Sequence, residues 1–141
     1  MKPKLFIDTD IILDVLAKRE HFSGPAVQLF TLIDEEKVEA FTTPVVFSNL
    51  LYILSKFKNR SFAHSSLRKL RLLIKIIQVD EKVVDLALNS EFKDFEDAIQ
   101  LYSAKLHELD FIVTRNVKDF VSKDLVALTA EDYIERFRAI P

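Results

Sequence analysis

Hydrophobic residues recur along the chain at two different spacings. Short apolar runs rich in β-branched and aromatic residues, such as KLFI and FIVT, are typical of buried strands. Longer segments that repeat apolar residues at helical spacing separate these runs and predict amphipathic helices. The predicted strands cover residues 4–7, 39–43, 76–79, 111–114 and 125–129. The predicted helices cover residues 11–18, 25–36, 44–57, 62–73, 81–88, 95–109 and 130–137.

The alternation of strands with helices predicts the fold class. Strands separated by helices pair in parallel through right-handed crossovers, and nearly continuous apolar strands are typical of a sheet covered on both faces. We therefore predict an α/β fold, a three-layer α/β/α domain with a parallel five-stranded central sheet. A chain of 141 residues with one glycine, four prolines and no low-complexity tract gives no sign of a boundary, so we expect a single domain over residues 1–141.

The composition excludes several classes of site. The chain has no cysteine, which excludes disulfide frameworks and thiolate metal sites and is compatible with a reducing compartment. It has no Gly-rich phosphate loop and no HExxH motif, and its three histidines lack ligand spacing. The apolar run LFI before Asp8 is too short for a signal peptide, and no segment approaches the ~20 apolar residues of a membrane helix. We expect a cytoplasmic protein without membrane attachment.

The charge pattern indicates a local basic surface. A net charge of -2 gives no general attraction to nucleic acid, so a polyanion would need such a surface. The stretch KFKNRSFAHSSLRKLRLLIKIIQV carries many lysines and arginines and no acid. These side chains are candidates for contacts with phosphates, or they simply solvate a helix face. The candidates are Lys58, Arg60, Arg68, Lys69 and Arg71.

Acidic and amide side chains follow two of the predicted strands at the point where each strand ends. Asp8 comes directly after the first strand, and Asn116 and Asp119 follow the fourth. The helix before that fourth strand must start at the same edge, and it begins with Asp94 and Asp97. Open α/β sheets bind ligands at the carboxyl ends of their strands. The sequence therefore predicts one acidic rim built from three separate segments.

Each of these acids also has a structural explanation. Asp8 and Asp94 are good helix caps, Asp97 suits the first turn of a helix, and Asp119 suits a turn. Capping does not explain why acids from non-adjacent segments converge. Clustered carboxylates repel each other unless some are protonated or a cation is bound. Mg²⁺ is often held by one or two carboxylates with water and substrate phosphate, which predicts phosphodiester or phosphoryl chemistry.

Four segments taken in order resemble PIN-domain proteins, especially the VapC-like ribonuclease toxins of bacterial toxin–antitoxin pairs. The segments are FIDTDIILDVLAKR, TPVVFSNLLYIL, DFEDAIQLYSA and FIVTRNVKDF. The resemblance extends from Phe6 to about Thr129 and implies a parallel five-stranded sheet between helices. It also implies RNA cleavage that depends on Mg²⁺ or Mn²⁺ held by acidic residues. The partners it implies are an RNA substrate, a separate antitoxin chain and a second copy of this chain in a homodimer.

The resemblance assigns roles to individual residues. Asp8 and Asp97 fall on the first and third acidic positions of the family and would hold the metal, with Asp94 as an acidic neighbour. The fourth position falls on the TRNVKD segment, where either Asn116 or Asp119 would take the acidic role. Thr114 would be the hydroxyl residue that orients the metal or its water.

The second acidic position departs from the family pattern. Relatives usually carry glutamate early in the helix after the second strand, where this chain has Asn49. Asparagine still offers a carbonyl oxygen but removes a negative charge, which lowers metal affinity. Asp10 either restores some of that charge or is a surface acid of the first helical turn, and Asp14 lies one turn further from the rim. Two functions stay open: an active ribonuclease, or a PIN-like module that binds nucleic acid or antitoxin without turnover.

A third class, a phospho-accepting domain, shares the DTD motif that follows the first strand. Haloacid-dehalogenase phosphatases and response-regulator receivers both place a similar motif there. This chain lacks the Gly-Thr of the former and the lysine that the latter carry after the fifth strand. We therefore expect no stable phospho-adduct.

Overall fold

The computed structural model describes residues 1–19, 23–120 and 125–138. Within them the strands are β1 (Lys4–Ile7), β2 (Glu39–Thr42), β3 (Ile74–Ile76), β4 (Phe111–Val113) and β5 (Val126–Leu128). The α-helices are α1 (Thr9–Leu16), α2 (Ser23–Asp34), α3 (Pro44–Phe57), α4 (Arg60–Arg71), α5 (Glu81–Leu88), α6 (Phe95–Leu106) and α7 (Ala130–Arg138). A short 3-10 helix covers Val117–Phe120. No helix in these ranges has both the length and the apolar character needed to cross a membrane.

The strands form one sheet in the order β3-β2-β1-β4-β5, and every neighbouring pair is parallel. The central strand β1 contributes Leu5, Phe6 and Ile7, all of which are fully buried. Because successive strand residues point to opposite faces, both faces of the sheet are covered. This arrangement confirms the predicted α/β fold with a parallel five-stranded sheet between layers of helices.

Several predicted boundaries were wrong by two or three residues, among them those of the third strand and of α6. The third strand begins at Ile74, two residues before its predicted start, and ends at Ile76, three residues before its predicted end, because α4 ends at Arg71 and the apolar run LLIKII spans both possible starts. Helix α6 was predicted to continue to residue 109, but it ends at Leu106. Glu108 has a φ of 55°, a left-handed conformation that cannot continue the helix.

Polar caps explain why two helices begin two residues earlier than their apolar periodicity predicts. Asp8 Oδ1 accepts a hydrogen bond from the backbone nitrogen of Thr9 at 2.7 Å, and α1 begins at Thr9. Asn59 Oδ1 accepts from the backbone nitrogen of Phe62 at 2.7 Å, and α4 begins at Arg60. In both cases the cap satisfies a donor that the helix itself leaves unpaired.

The register of β1 against β4 places two candidate residues side by side. The strands pair Ile7 with Val113, so Asp8 and Thr114 leave neighbouring strands at the same level. The backbone nitrogen of Asp8 donates to the carbonyl oxygen of Val113 at 3.0 Å. The carboxyl edge of the sheet therefore carries both residues on its two central strands.

Candidate active site

Asp8 is buried and held by hydrogen bonds from Thr9, Thr114 and Gln100. Its Oδ1 caps α1, and its Oδ2 accepts from Thr114 Oγ1 at 2.7 Å. Asp8 is 7% exposed and Thr114 is fully buried. Burial raises the pKa of the Asp8 carboxyl, while the hydrogen bonds from Thr114 and Thr9 act in the opposite direction. The capping role thus accounts for one oxygen, and the other oxygen is fixed by the neighbouring strand.

Asp97 is surrounded by other carboxylates. It lies in the first turn of α6, which Asp94 caps by accepting from the Asp97 backbone nitrogen at 3.1 Å. Burial, and then repulsion from Asp94, Asp8, Asp119 and Glu96 in that order, raises the pKa of Asp97 to about 7. The structure therefore brings acids from three separate segments together around one side chain, as the position of the strand ends led us to expect.

These residues line two adjoining clefts. The first, here called the acid cleft, has a volume of about 470 Å³ and is lined by Asp8, Asp10, Asn49, Glu96, Asp97 and Asn116 among others. The second, called the side cleft, has a volume of about 790 Å³ and is lined by Lys93, Asp94, Asp97, Tyr102, Lys118 and Asp119 among others. Asp97 lines both. Of the two candidates for the family's fourth acidic position, Asn116 lines the acid cleft and Asp119 lines the side cleft. Asp94 also lines the side cleft.

Asp10 connects α1 to the loop after β4. Its Oδ2 accepts from the backbone nitrogen of Arg115 at 3.2 Å and from Asn116 Nδ2 at 3.4 Å. The backbone nitrogen of Asn116 in turn donates to Thr114 Oγ1 at 3.0 Å. Burial, followed by repulsion from Asp8, raises the pKa of Asp10 to about 6. Asp10 is therefore a half-buried part of the cleft wall and not a solvated surface acid.

Asn49 lies in the acid cleft and contacts an acid that the sequence did not single out. Its Nδ2 donates to Glu96 Oε2 at 2.9 Å. Gln100 was also missed; it is 4% exposed, lines the same cleft and has an Oε1 without a hydrogen-bond partner among the described residues. Helical spacing from Asp97 places Gln100 on the same face of α6, and this spacing is the signal that could have found it.

Asp14 has a structural role away from the cleft. It is 1% exposed, and Arg115 Nε lies 3.3 Å from its Oδ2 while Arg19 Nη1 lies 4.0 Å from its Oδ1. Burial raises the pKa of Asp14, and the two arginines act against that rise. The ion pair with Arg115 fixes the loop that also carries Asn116.

The basic candidates are divided between the two edges of the sheet. Arg60 begins α4 and shares a groove of about 320 Å³ with Tyr52, which also lines the acid cleft. Lys58, just before it, lies 4.9 Å above the ring of Phe62. Arg71 ends α4 and donates to the carbonyl oxygen of Ile74, the first residue of β3, at 2.8 Å. Arg71 is thus at the amino edge of the sheet, and the last-turn residues Arg68 and Lys69 lie toward that edge, away from the acids.

The oxygen-rich cleft fits a hydrated divalent cation better than a caged one. Within the described ranges no group of three or more His, Cys, Asp or Glu residues is arranged so that it could hold a metal ion by itself. Mg²⁺ usually keeps several waters and needs only one or two protein carboxylates. Burial is the main cause of the raised pKa values of Asp8, Asp10 and Asp97, and repulsion from neighbouring carboxylates adds to it, so a bound cation would favour their ionised forms. The donor set is therefore compatible with Mg²⁺ or Mn²⁺ bound through two carboxylates and water.

Comparison with known proteins leads to the family that the sequence resembles. Residues 4–118 match the family model described as PIN domain. Ribonuclease VapC1 from Aquifex aeolicus is 28% identical over 142 residues, covering 97% of this chain and 97% of that protein. A toxin–antitoxin complex from Klebsiella pneumoniae has a TM-score of 0.67 at 22% identity, covering 89% of this chain and 97% of that one. The Mycobacterium tuberculosis toxin VapC20, described as cleaving the sarcin–ricin loop, has a TM-score of 0.66 at 12% identity, covering 82% and 92%.

Proposed function

The chain belongs to the PIN-domain family, and from that premise we propose that it is a divalent-metal-dependent endoribonuclease of the VapC type. One observation carries the proposal: Asp8 and Asp10 at the start of α1 and Asp97 in the first turn of α6 line one cleft at the carboxyl edge of the sheet. The relative that is 28% identical bears the name Ribonuclease VapC1, which supports RNA as the substrate class. We further propose that the protein acts on RNA in the cytoplasm.

In this proposal Asp8 and Asp97 hold Mg²⁺ or Mn²⁺, and Asp94 adds negative charge beside them. When bound, the ion would lower the pKa of a coordinated water and neutralise charge on the scissile phosphate. Thr114 keeps Asp8 in one orientation through its 2.7 Å hydrogen bond, and that bond favours the ionised carboxylate. Two hydrogen bonds place the Asn116 amide on the cleft wall, where we assign it the orienting role in preference to Asp119.

Metal-dependent cleavage of RNA by the purified chain tests the proposal directly. In low salt with Mn²⁺, the wild type should cut a mixed-sequence single-stranded RNA, and EDTA should abolish the cut. Asp8→Asn and Asp97→Asn should each lose more than about 100-fold in rate, beyond the usual cost of removing an outer-shell partner. Asp85→Asn, an exposed acid on α5 outside both clefts, is the matched control and should keep the wild-type rate. Equal rates for Asp8→Asn and wild type would refute the proposal.

The second candidate is a PIN-like module without turnover, and one observation favours it. The amide of Asn49 donates a hydrogen bond in the position where relatives supply a carboxylate. On this alternative the wild type binds RNA or an antitoxin but cuts nothing, and Asn49→Glu creates metal-dependent cleavage. Cleavage by the wild type excludes it.

Partner binding follows from the same relatives. Because one similar structure is a toxin–antitoxin complex, we propose that this chain also binds a separate small antitoxin chain. We expect the free chain to be a homodimer. Light scattering on the purified chain measures its mass, and a monomer at micromolar concentration would contradict the dimer.

A further inference from the structure

The acid cleft receives no carboxylate from α3. The α3 side chains that line it are those of Asn49, Tyr52 and Ile53. On the opposite wall α6 supplies two neighbouring acids, Glu96 and Asp97. Among the described contacts, the acid that reaches the α3 wall is Glu96 of α6.

The hydrogen bond from Asn49 determines where the Glu96 carboxylate lies. Glu96 is an exposed residue, and an unrestrained glutamate on a helix samples several rotamers. Asn49 Nδ2 donates to Glu96 Oε2 at 2.9 Å, which ties that carboxylate to the wall of the cleft. The bond engages only Oε2, so Oε1 keeps its capacity to accept a further partner. Glu96 also lies close enough to Asp97 to repel its negative charge.

A second side chain in the cleft needs an electropositive partner. Gln100 lies one helical turn after Glu96 and is 4% exposed, and it lines the same cleft. Its Oε1 has no hydrogen-bond partner in the part of the chain that the structure describes. A buried amide oxygen is unfavourable without a donor or a cation. The Gln100 side chain also hydrogen-bonds Asp8, so its Oε1 is the atom left to accept from a cation-bound water or to contact a cation in the cleft.

We propose that Glu96 is a further cation-holding residue of the acid cleft and that Asn49 is its positioning residue. The inference rests on the proposed function and deepens it by naming an acid beyond Asp8 and Asp97. Glu96 faces the cleft from the α6 side, and the amide of Asn49 supplies the donor that keeps it there. The pair is complementary, so an acid on α3 facing an amide on α6 should perform the same task.

Exchanging the carboxylate of Glu96 and the amide of Asn49 between the two positions tests this pair. The probe is Mn²⁺, and its Kd for the full chain is measured by titration calorimetry without RNA. Glu96→Gln should weaken binding by about 10-fold or more, in the range seen when a supporting partner is lost. Asn49→Ala should weaken it in the same direction by a smaller factor, because the glutamate remains but is not held. The double variant Asn49→Glu/Glu96→Gln should return the Kd toward the wild-type value.

The control is Glu135→Gln, which removes one exposed acid on α7 and should leave the Mn²⁺ affinity unchanged. If Glu96→Gln binds Mn²⁺ as tightly as Glu135→Gln does, the proposal for Glu96 is overturned while a cutting wild type still upholds the ribonuclease. If Glu96→Gln binds more weakly and the double variant recovers, the proposal is supported even where no RNA is cut. A wild type that binds no Mn²⁺ overturns both.

Discussion

At the scale of single residues, the hydroxyl of Thr114, the residue that follows β4, donates a hydrogen bond to Oδ2 of Asp8. Asp8 is 7% exposed and Thr114 is fully buried, so few other donors lie within reach of this carboxylate. The same hydroxyl oxygen accepts from the backbone nitrogen of Asn116 at 3.0 Å. One small side chain therefore fixes two candidate site residues.

We predict that Thr114→Val lowers stability by about 1–3 kcal/mol, because it removes one donor from a buried carboxylate and replaces it with an apolar group. RNA cleavage should fall by about 10- to 100-fold for the same reason. Thr114→Ser keeps the hydroxyl and should retain most of both. Urea unfolding and the cleavage assay measure the two effects, with Thr31→Val on the exposed face of α2 as the control. A valine variant as stable as the control would contradict the role of the bond.

The raised pKa of Asp97 predicts how stability depends on pH. Burial and neighbouring carboxylates raise this pKa from 3.8 to about 7, so between those values the folded state binds more protons than the unfolded state. The contribution of Asp97 is therefore most favourable below pH 4 and is lost progressively as pH rises through about 7.

We predict that Asp97→Asn removes the loss of stability that ionisation of Asp97 causes as pH rises. Measured without metal, the free energy of unfolding of the variant should gain on that of the wild type as pH rises from 4 to 8. Urea denaturation at each pH gives the difference directly, and Asp85→Asn should follow the wild type. A constant difference across this range would show that Asp97 titrates normally.

The residue scale also shows why part of the site was open to prediction. Asp8, Asp97 and Asn116 follow strand ends or open a helix, and the carboxyl-edge rule depends only on their order in the chain. Glu96 lies in the same first turn of α6 but was not singled out, and Gln100 lies one turn further on, where only its helical spacing from Asp97 marks it. The Asn49 bond to Glu96 joins residues 47 positions apart, which no local pattern reveals.

At the scale of elements, the starts of several helices are determined by N-cap side chains that lie one residue before the helix. Thr43 accepts from the backbone nitrogen of Val46 at 3.3 Å with Pro44 at the first helical position, and that predicted start of α3 is confirmed. The start of α4 depends on Asn59, a cap that apolar periodicity cannot register. Periodicity therefore gave the number and type of elements, and capping chemistry gave their ends.

The loop after β4 is held to α1 by the ion pair between Asp14 and Arg115. We predict that Asp14→Ala lowers stability by about 2 kcal/mol, below the 3–5 kcal/mol of fully buried pairs, because the Arg115 side chain is 27% exposed. Cleavage should fall as well, since the same loop carries Asn116. The comparison is Glu35→Ala, which removes the exposed pair with Lys37 and should cost less than about 1 kcal/mol. Similar thermal unfolding of the two variants would contradict the prediction.

At the scale of the whole molecule, helix α4 separates basic residues that are neighbours in sequence. It begins with Arg60 beside the groove that Tyr52 shares with the acid cleft, and it ends with Arg71 against the start of β3. The sequence showed one basic run, but the direction of the helix across the sheet divides that run between opposite edges. Only the first part of the basic run, around Arg60, therefore lies near the acid cleft.

We predict that Arg60→Ala weakens binding of single-stranded RNA and reduces the dependence of log K on log salt by about 0.7, the contribution of one phosphate contact on a single strand. Lys58→Ala should act similarly. Lys69→Ala, on the same helix but toward the other edge, should leave both values unchanged. Fluorescence anisotropy at several salt concentrations measures the RNA affinity and its salt dependence. Equal effects of Arg60→Ala and Lys69→Ala would contradict the separation of the basic residues between the two edges of the sheet.

Because their pKa values are raised, some carboxyl groups of the cleft keep a proton near neutral pH. Near neutral pH the carboxyls of Asp97, with a pKa of about 7, and Asp10, with a pKa of about 6, are partly protonated. A cation entering the cleft must displace those protons into the buffer. The heat of binding therefore includes the ionisation heat of the buffer, and the uptake of metal responds to any change in acidity. Through this exchange, the crowding of acids at one sheet edge makes cation binding at the proposed site depend on the surrounding pH.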